Sequence, residues 1–179
     1  MSFRPSSIPG LEFTPSAEHF IPGARQKFAQ QNTASVPASG SAQVALSFPL
    51  PALKFGDALL FDWLSAFLLP QDGSGELELT DAYFAIQDVS STDNLVALAY
   101  PAITTLFPIN GQSLFSGGRA QILATDLTGV LSALGVSASF PYACQVVVAA
   151  SMKNNDSVNA HSFKVRAAFA LRILSGLVE

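Results

Sequence analysis

"HSFKVRAAFALRIL", residues 161–174, decides the fold class. Phe163, Val165, Ala167, Phe169, Leu171 and Ile173 recur at a period of two, with Lys164, Arg166 and Arg172 at the intervening positions beside Ala168 and Ala170. Side chains along a strand point alternately to opposite faces, so the stretch predicts one long strand with an apolar side and a basic side. A slip of one residue would invert both sides, which makes the burial of Phe163, Val165, Phe169, Leu171 and Ile173 a strict expectation. A third of the nine Lys and Arg residues of the chain lie on the basic side. What those cations meet is the functional question.

Working outward, "YACQVVVAASM" precedes this strand across "KNNDSVNA", a polar loop suited to a hairpin. Further upstream, "AQVALSFPL" alternates Val44, Leu46, Phe48 and Leu50. "GELELTDAYFAIQDV" (75–89) sets Leu77 and Leu79 against Glu76 and Glu78, then changes phase near Thr80 and Asp81, the pattern of a bulge or bend before Phe84 and Ile86. "NLVALAY", "AITTLF" and "GRAQILAT" are shorter strand candidates. Two segments read differently. In "DALLFDWLSAFLLPQDG" (57–73), Leu59, Leu60, Trp63, Leu64, Phe67 and Leu68 have helical spacing, with Asp57 as N-cap, Pro70 as terminator and Trp63 assigned to the core. "TDLTGVLSALG" (125–135) has Asp126 as cap, Leu127, Val130, Leu131 and Leu134 on one side, and Gly135 as stop.

Seven or eight strands with one or two short helices predict an all-β fold, an antiparallel two-sheet sandwich of the jelly-roll type, over residues 42–179. An immunoglobulin-like sandwich is the competitor, and its usual Cys-Trp-Cys spacing is missing. Residues 1–41 read as an extended, Pro-rich N-terminal arm. They hold five of the eleven prolines (Pro5, Pro9, Pro15, Pro22, Pro37), which oppose a continuous helix or central strand. Yet Phe3, Phe13, Phe20 and Phe28 recur through them, whereas disordered tails are poor in aromatics. Such an arm docks its rings into apolar hollows, either on its own domain or on a neighbouring subunit.

Composition narrows the function. Apolar residues make up 49% of the chain and charged residues only 12%, against about 25% in an average protein. A charge-poor surface fits burial against other subunits, since interface centres are depleted in charge. The lone Cys144 sits among apolar neighbours and reads as a buried structural thiol. "MSFRPSSIPG" has no apolar signal region, and "ALLFDWLSAFLL" is too short for a bilayer span, so synthesis in the cytoplasm, without integration into a membrane, is expected. No His, Cys, Asp or Glu cluster has metal-ligand spacing, no phosphate-binding glycine pattern occurs, and no serine lies in a nucleophile elbow. The expectation is no enzyme, no catalytic residue, no metal and no cofactor.

Charge is segregated along the chain. Residues 55–118 hold eight acids and no Lys or Arg, and residues 151–175 hold Lys153, Lys164, Arg166 and Arg172 against Asp156 alone. The basic side therefore meets carboxylates in this chain or in its neighbour, or the head groups of an anionic membrane. With a net charge of −4 and only Arg4, Arg25 and Lys27 as cations in the arm, direct nucleic-acid binding is not expected.

An aromatic-studded arm before a charge-poor sandwich with no site chemistry resembles, in architecture alone, the single jelly-roll capsid proteins of icosahedral viruses. Basic, genome-holding arms are absent, which turns the resemblance toward the small capsid proteins of tailless phages with an internal membrane. It implies a shell subunit of the virion that assembles with copies of itself, beside a second capsid protein, with Phe3, Phe13, Phe20, Phe28, Lys164, Arg166 and Arg172 at interfaces. The rival reading is a ligand-binding, lectin-like module or a virion decoration or spike protein.

Overall fold

A computed structural model of the chain describes residues 23–72, 75–89, 94–99, 112–116, 120–123 and 140–175. Nine strands occur among them: β1 (Gln26–Val36), β2 (Ser41–Pro49), β3 (Ala58–Pro70), β4 (Leu77–Asp88), β5 (Asn94–Ala99), β6 (Gln112–Ser116), β7 (Ala120–Leu123), β8 (Cys144–Asn154) and β9 (His161–Leu174). They form two sheets. Sheet A has the order β1-β9-β3-β6, with β7 also paired to β3, and sheet B has the order β2-β8-β4-β5. Every pairing is antiparallel.

The pairs nest. β1 lies against β9, β2 against β8, β3 against β6 and β7, and β4 against β5, so the chain runs as one long folded-back hairpin. Two further pairings, β9 to β3 and β8 to β4, roll that hairpin into two sheets. This strand order, with β6 and β7 sharing one edge, is a jelly roll.

The inward sides of both sheets make the core. On β9, Phe163, Val165, Phe169, Leu171 and Ile173 are buried as their alternation requires, and Arg166 is exposed. Phe169 is the hub: it stacks on Phe28 of β1 (ring centroids 4.7 Å, planes 12° apart) and meets Phe48 and Phe84 of sheet B edge-on at 4.9 and 5.8 Å. On β4 the phase change is a real irregularity. Leu79 pairs with Met152 and Asp81 with Ser151, so Thr80 is the extra residue and Leu77 and Leu79 share the inward side with Ala82, Phe84 and Ile86.

Four expectations are corrected. Residues 58–70 are strand β3, not a helix, and no helix occurs among the described residues; the second predicted helix, 125–135, lies outside them. A break in register between Phe61 and Trp63 is the reason. It turns Leu60, Trp63 and Phe67, spaced three and four apart, to the same side and so imitates helical periodicity. Trp63 is half-buried and faces outward opposite Ala170, not into the core. "PINGQSLFSGG", which lies between the strand candidates "AITTLF" and "GRAQILAT" and is not one of them, contains strand β6.

The fourth correction concerns the arm. Residues 26–36 pair with β9 along their whole length, and Phe28 is a core residue of its own domain. Polar residues at most positions of β1 hid it, because an edge strand needs only a few buried anchors, here Phe28 and Val36. Phe3, Phe13 and Phe20 lie outside the described residues.

Candidate functional site

The outward side of sheet A collects the cations. Register places residues side by side across β3, β9 and β1: Trp63, Ala170 and Lys27; Ser65, Ala168 and Ala29; Phe67, Arg166 and Gln31; Leu69, Lys164 and Thr33. The inward direction of Phe28, Phe169 and Leu68 fixes the outward direction of their neighbours. The result is an apolar column on β3, with Phe67 36% exposed, beside a column on β9 that alternates between charge and alanine. Five of the seven described Lys and Arg residues (Arg25, Lys27, Lys164, Arg166, Arg172) belong to this surface.

Among the described residues, one carboxylate enters it. Asp62 sits at the irregularity in β3, its side chain only 9% exposed. Arg172 grips it with Nη2 2.9 Å from Oδ1 and Nε 3.2 Å from Oδ2, and Arg25 adds Nε at 3.0 Å from Oδ2. The paired geometry matches the planar fork of guanidinium to carboxylate. This answers part of the question posed by the alternation: Arg172 meets a carboxylate of its own chain. Lys27, Lys164 and Arg166 have no ion-pair partner among the described residues.

Sheet B faces outward with a different chemistry. On β2, Ser41, Gln43, Ala45, Ser47 and Pro49 are exposed, while Ala85 of β4 and Val147 and Ala149 of β8 are buried. At the start of β4, Glu76 and Asp81 are exposed and Glu78 half-buried, with Lys153 opposite Glu78 in register. Glu78 accepts a 3.4 Å hydrogen bond from Asn155 Nδ2.

The two ends of the sandwich are closed by polar locks. At one end Asn154, fully buried, donates from Nδ2 to the carbonyls of Val36, Pro37 and Asn159 and accepts from the Asp156 N–H through Oδ1, tying the β1–β2 turn to the β8–β9 loop. Asp156 accepts from the N–H groups of Val158 and Asn159 and from Asn159 Nδ2, and these donors, with His161 Nε2 at 3.0 Å, hold its carboxyl far below the usual range. Asp72 accepts from the Ser162 N–H and lies 3.5 Å from His161 Nδ1. At the other end Tyr142 donates to the buried Asp88; burial, then this bond, raises the phenol above its ordinary value. Burial also pushes the Cys144 thiol up to about 12, away from any nucleophilic role at neutral pH. Asp57, read as a helix cap, instead closes a turn, accepting from Lys54 N–H at 2.7 Å, and Gly56 supplies the positive φ of 82° that the turn needs.

Among the described residues, no group of three or more His, Cys, Asp and Glu is arranged to hold a metal ion. Sequence reasoning found Lys164, Arg166 and Arg172 but missed Arg25, Lys27, Asp62, Trp63 and Phe67. A single charged residue inside the apolar run of β3 was the available signal for the last three.

No protein-family model matches the sequence, and no curated protein matches it. Solved structures do. A chain in the structure of infectious bursal disease virus Gt strain covers 94% of this chain at 10% identity and a TM-score of 0.46, and one in the Gx strain covers 84% at 11% and 0.39. A chain in the crystal structure of the infectious bursal disease virus VP2 subviral particle covers 94% at 11% identity and a TM-score of 0.45. This chain spans 32% to 38% of the length of those chains. The strand order, rather than this likeness, assigns the fold.

Proposed function

We propose that the protein is a structural subunit of a virus shell that assembles with copies of itself, or with a second shell protein, and acts as a virion component rather than as an enzyme. The observation that carries this reading is the outward side of sheet A: a broad surface of Trp63, Phe67, Leu69 and cations that have no ion pair among the described residues, on a jelly roll. Interfaces are enriched in aromatic residues and Arg, and jelly rolls serve chiefly as capsid, lectin and cupin scaffolds. Fold alone does not choose among these. A metal-holding cluster of the cupin kind is missing among the described residues. Phe3, Phe13 and Phe20 extend the proposal, as anchors that reach a neighbouring subunit.

Light scattering after size-exclusion chromatography of the full chain, followed by electron microscopy, tests it. Concentration-dependent closed particles or rings are expected, and a chain that stays monomeric at every concentration overturns the reading. A chain beginning at residue 23 keeps β1 and should fold as well as the full chain while assembling less readily.

One observation favours a ligand-binding module instead. Phe55 is 63% exposed on the turn before β3 and packs edge-on against Phe140 at 5.8 Å, a platform on which a sugar ring can stack. Glycan-array binding that disappears in Phe55→Ala would support that alternative.

A further inference from the structure

The shell-subunit reading leaves open which surfaces meet, and the charges on the two outward sides of the sandwich point to an answer that rests on that reading. We propose that the basic side of sheet A in one copy docks against the acidic start of β4 on sheet B of a second copy, in a head-to-tail contact.

Arg25 and Arg172 are occupied by Asp62. Lys27, Lys164 and Arg166 remain, and among the described residues none has an ion-pair partner. On the other sheet Glu76, Glu78 and Asp81 likewise lack an ion pair among the described residues, where Lys153 is the cation in register beside Glu78. The two sets match in spacing. Lys164 and Arg166 are two residues apart on one side of β9, and Glu76 and Glu78 are two apart at the start of β4, so each pair is separated by roughly 7 Å. They also lie on opposite outward sides of one sandwich. Within one copy the two described sets cannot meet, whereas a second copy can bring one set against the other.

The aromatic column lies alongside. Trp63 and Phe67 share their register rows with Lys27 and Arg166, so docking of the acids would draw these rings out of water at the same time. A contact between two different patches is heterologous; it generates rings where the rotation closes and filaments where it does not. Because Lys27, Arg166, Glu76 and Asp81 are exposed and Lys164 and Glu78 half-buried, the contact weakens with salt.

Charge-swapped full-length chains test the docking. Lys164→Glu with Arg166→Glu gives a copy with two acidic sides, and Glu76→Lys with Glu78→Lys gives a copy with two basic sides. Each variant alone is expected to associate at least about tenfold more weakly than wild type, since like charges are then opposed. Mixed in equal amounts, the two should recover association as alternating copies, read by analytical ultracentrifugation, with circular dichroism melting to show that both remain folded. An assembling wild type whose association ignores the swaps, or a mixture that fails to recover it, overturns this docking and leaves the shell reading standing. So does a result in which only the β9 swap matters and what it abolishes is binding to poly-uridine or to phosphatidylserine vesicles, for then the basic side meets a polyanion or a lipid surface. A wild type that never associates removes the shell reading itself.

Discussion

The two sides of β9 differ in almost everything except their backbone. Inward, Phe163, Val165, Ala167, Phe169, Leu171 and Ile173 are buried, and Phe169 touches rings from both sheets. Outward, Lys164, Arg166, Ala168 and Arg172 face solvent or one carboxylate. Stability is concentrated on the first side, and the proposed contact between copies uses the second. The same fourteen residues serve both, so substitutions on opposite sides of this strand should separate folding from assembly.

Removing a partner from the inward side should have the largest effect. A chain beginning at residue 38 loses all of β1, the ladder along β9 and the ring stacked on Phe169. It is expected to show no cooperative melting transition by calorimetry. Retention of a sharp transition would mean that β1 is an ornament and not part of the core.

Phe169→Ala is the next step down. Removing a fully buried ring that touches four others leaves a cavity at the joint of both sheets and should cost about 3–5 kcal/mol, measured by urea unfolding. Asn154→Ala at the end of the sandwich should cost about 1–3 kcal/mol, since three backbone carbonyls lose a donor and one N–H loses an acceptor at a buried site.

Acid should act on the same end. The carboxyl of Asp156 titrates lower in the folded chain than in the unfolded one. Its contribution is therefore complete above the unfolded carboxylate value of about 4 and is lost as pH falls through the lower folded value. Melting temperature should hold from neutral pH down to that range and then decline, and Asp156→Asn should flatten the decline. At the small end, Arg166→Ala on the outward side should change stability by no more than about 0.5 kcal/mol. A much larger loss would erase the division between the two sides.

How much could be read in advance follows from how regular each strand is. β9 and β2 alternate nearly without interruption and their burial follows their letters, while β8 is an apolar run, Val146 to Ala150, buried throughout. In β4 the chemistry of Thr80 and Asp81 announced the irregularity, because two polar residues interrupt an otherwise apolar side. In β3 the extra residue, Asp62, lies in a run that is apolar on both sides, so the shift in phase imitated a helix and moved Trp63 from the surface to an expected core. β1 failed for the opposite reason: an edge strand with half-buried Gln and exposed Asn and Thr carries too few apolar letters for its period to show. The outward surface of sheet A was legible only in its β9 column. Its other columns come from β1 and β3, which long-range pairing alone brings alongside.

That long-range pairing orders events during synthesis. Gln26 pairs with Leu171, so β1 leaves the ribosome long before its partner exists, and pairings so distant in sequence close slowly. β3 waits in the same way, since its longest ladder is also with β9. Until β9 is laid between them, the columns of the basic surface are not side by side, and an unfinished chain has no complete face with which to join an assembly. In the proposed assembly this pairing would act as a checkpoint on translation, since the basic surface is complete only once the chain has reached Leu174 and rolled up.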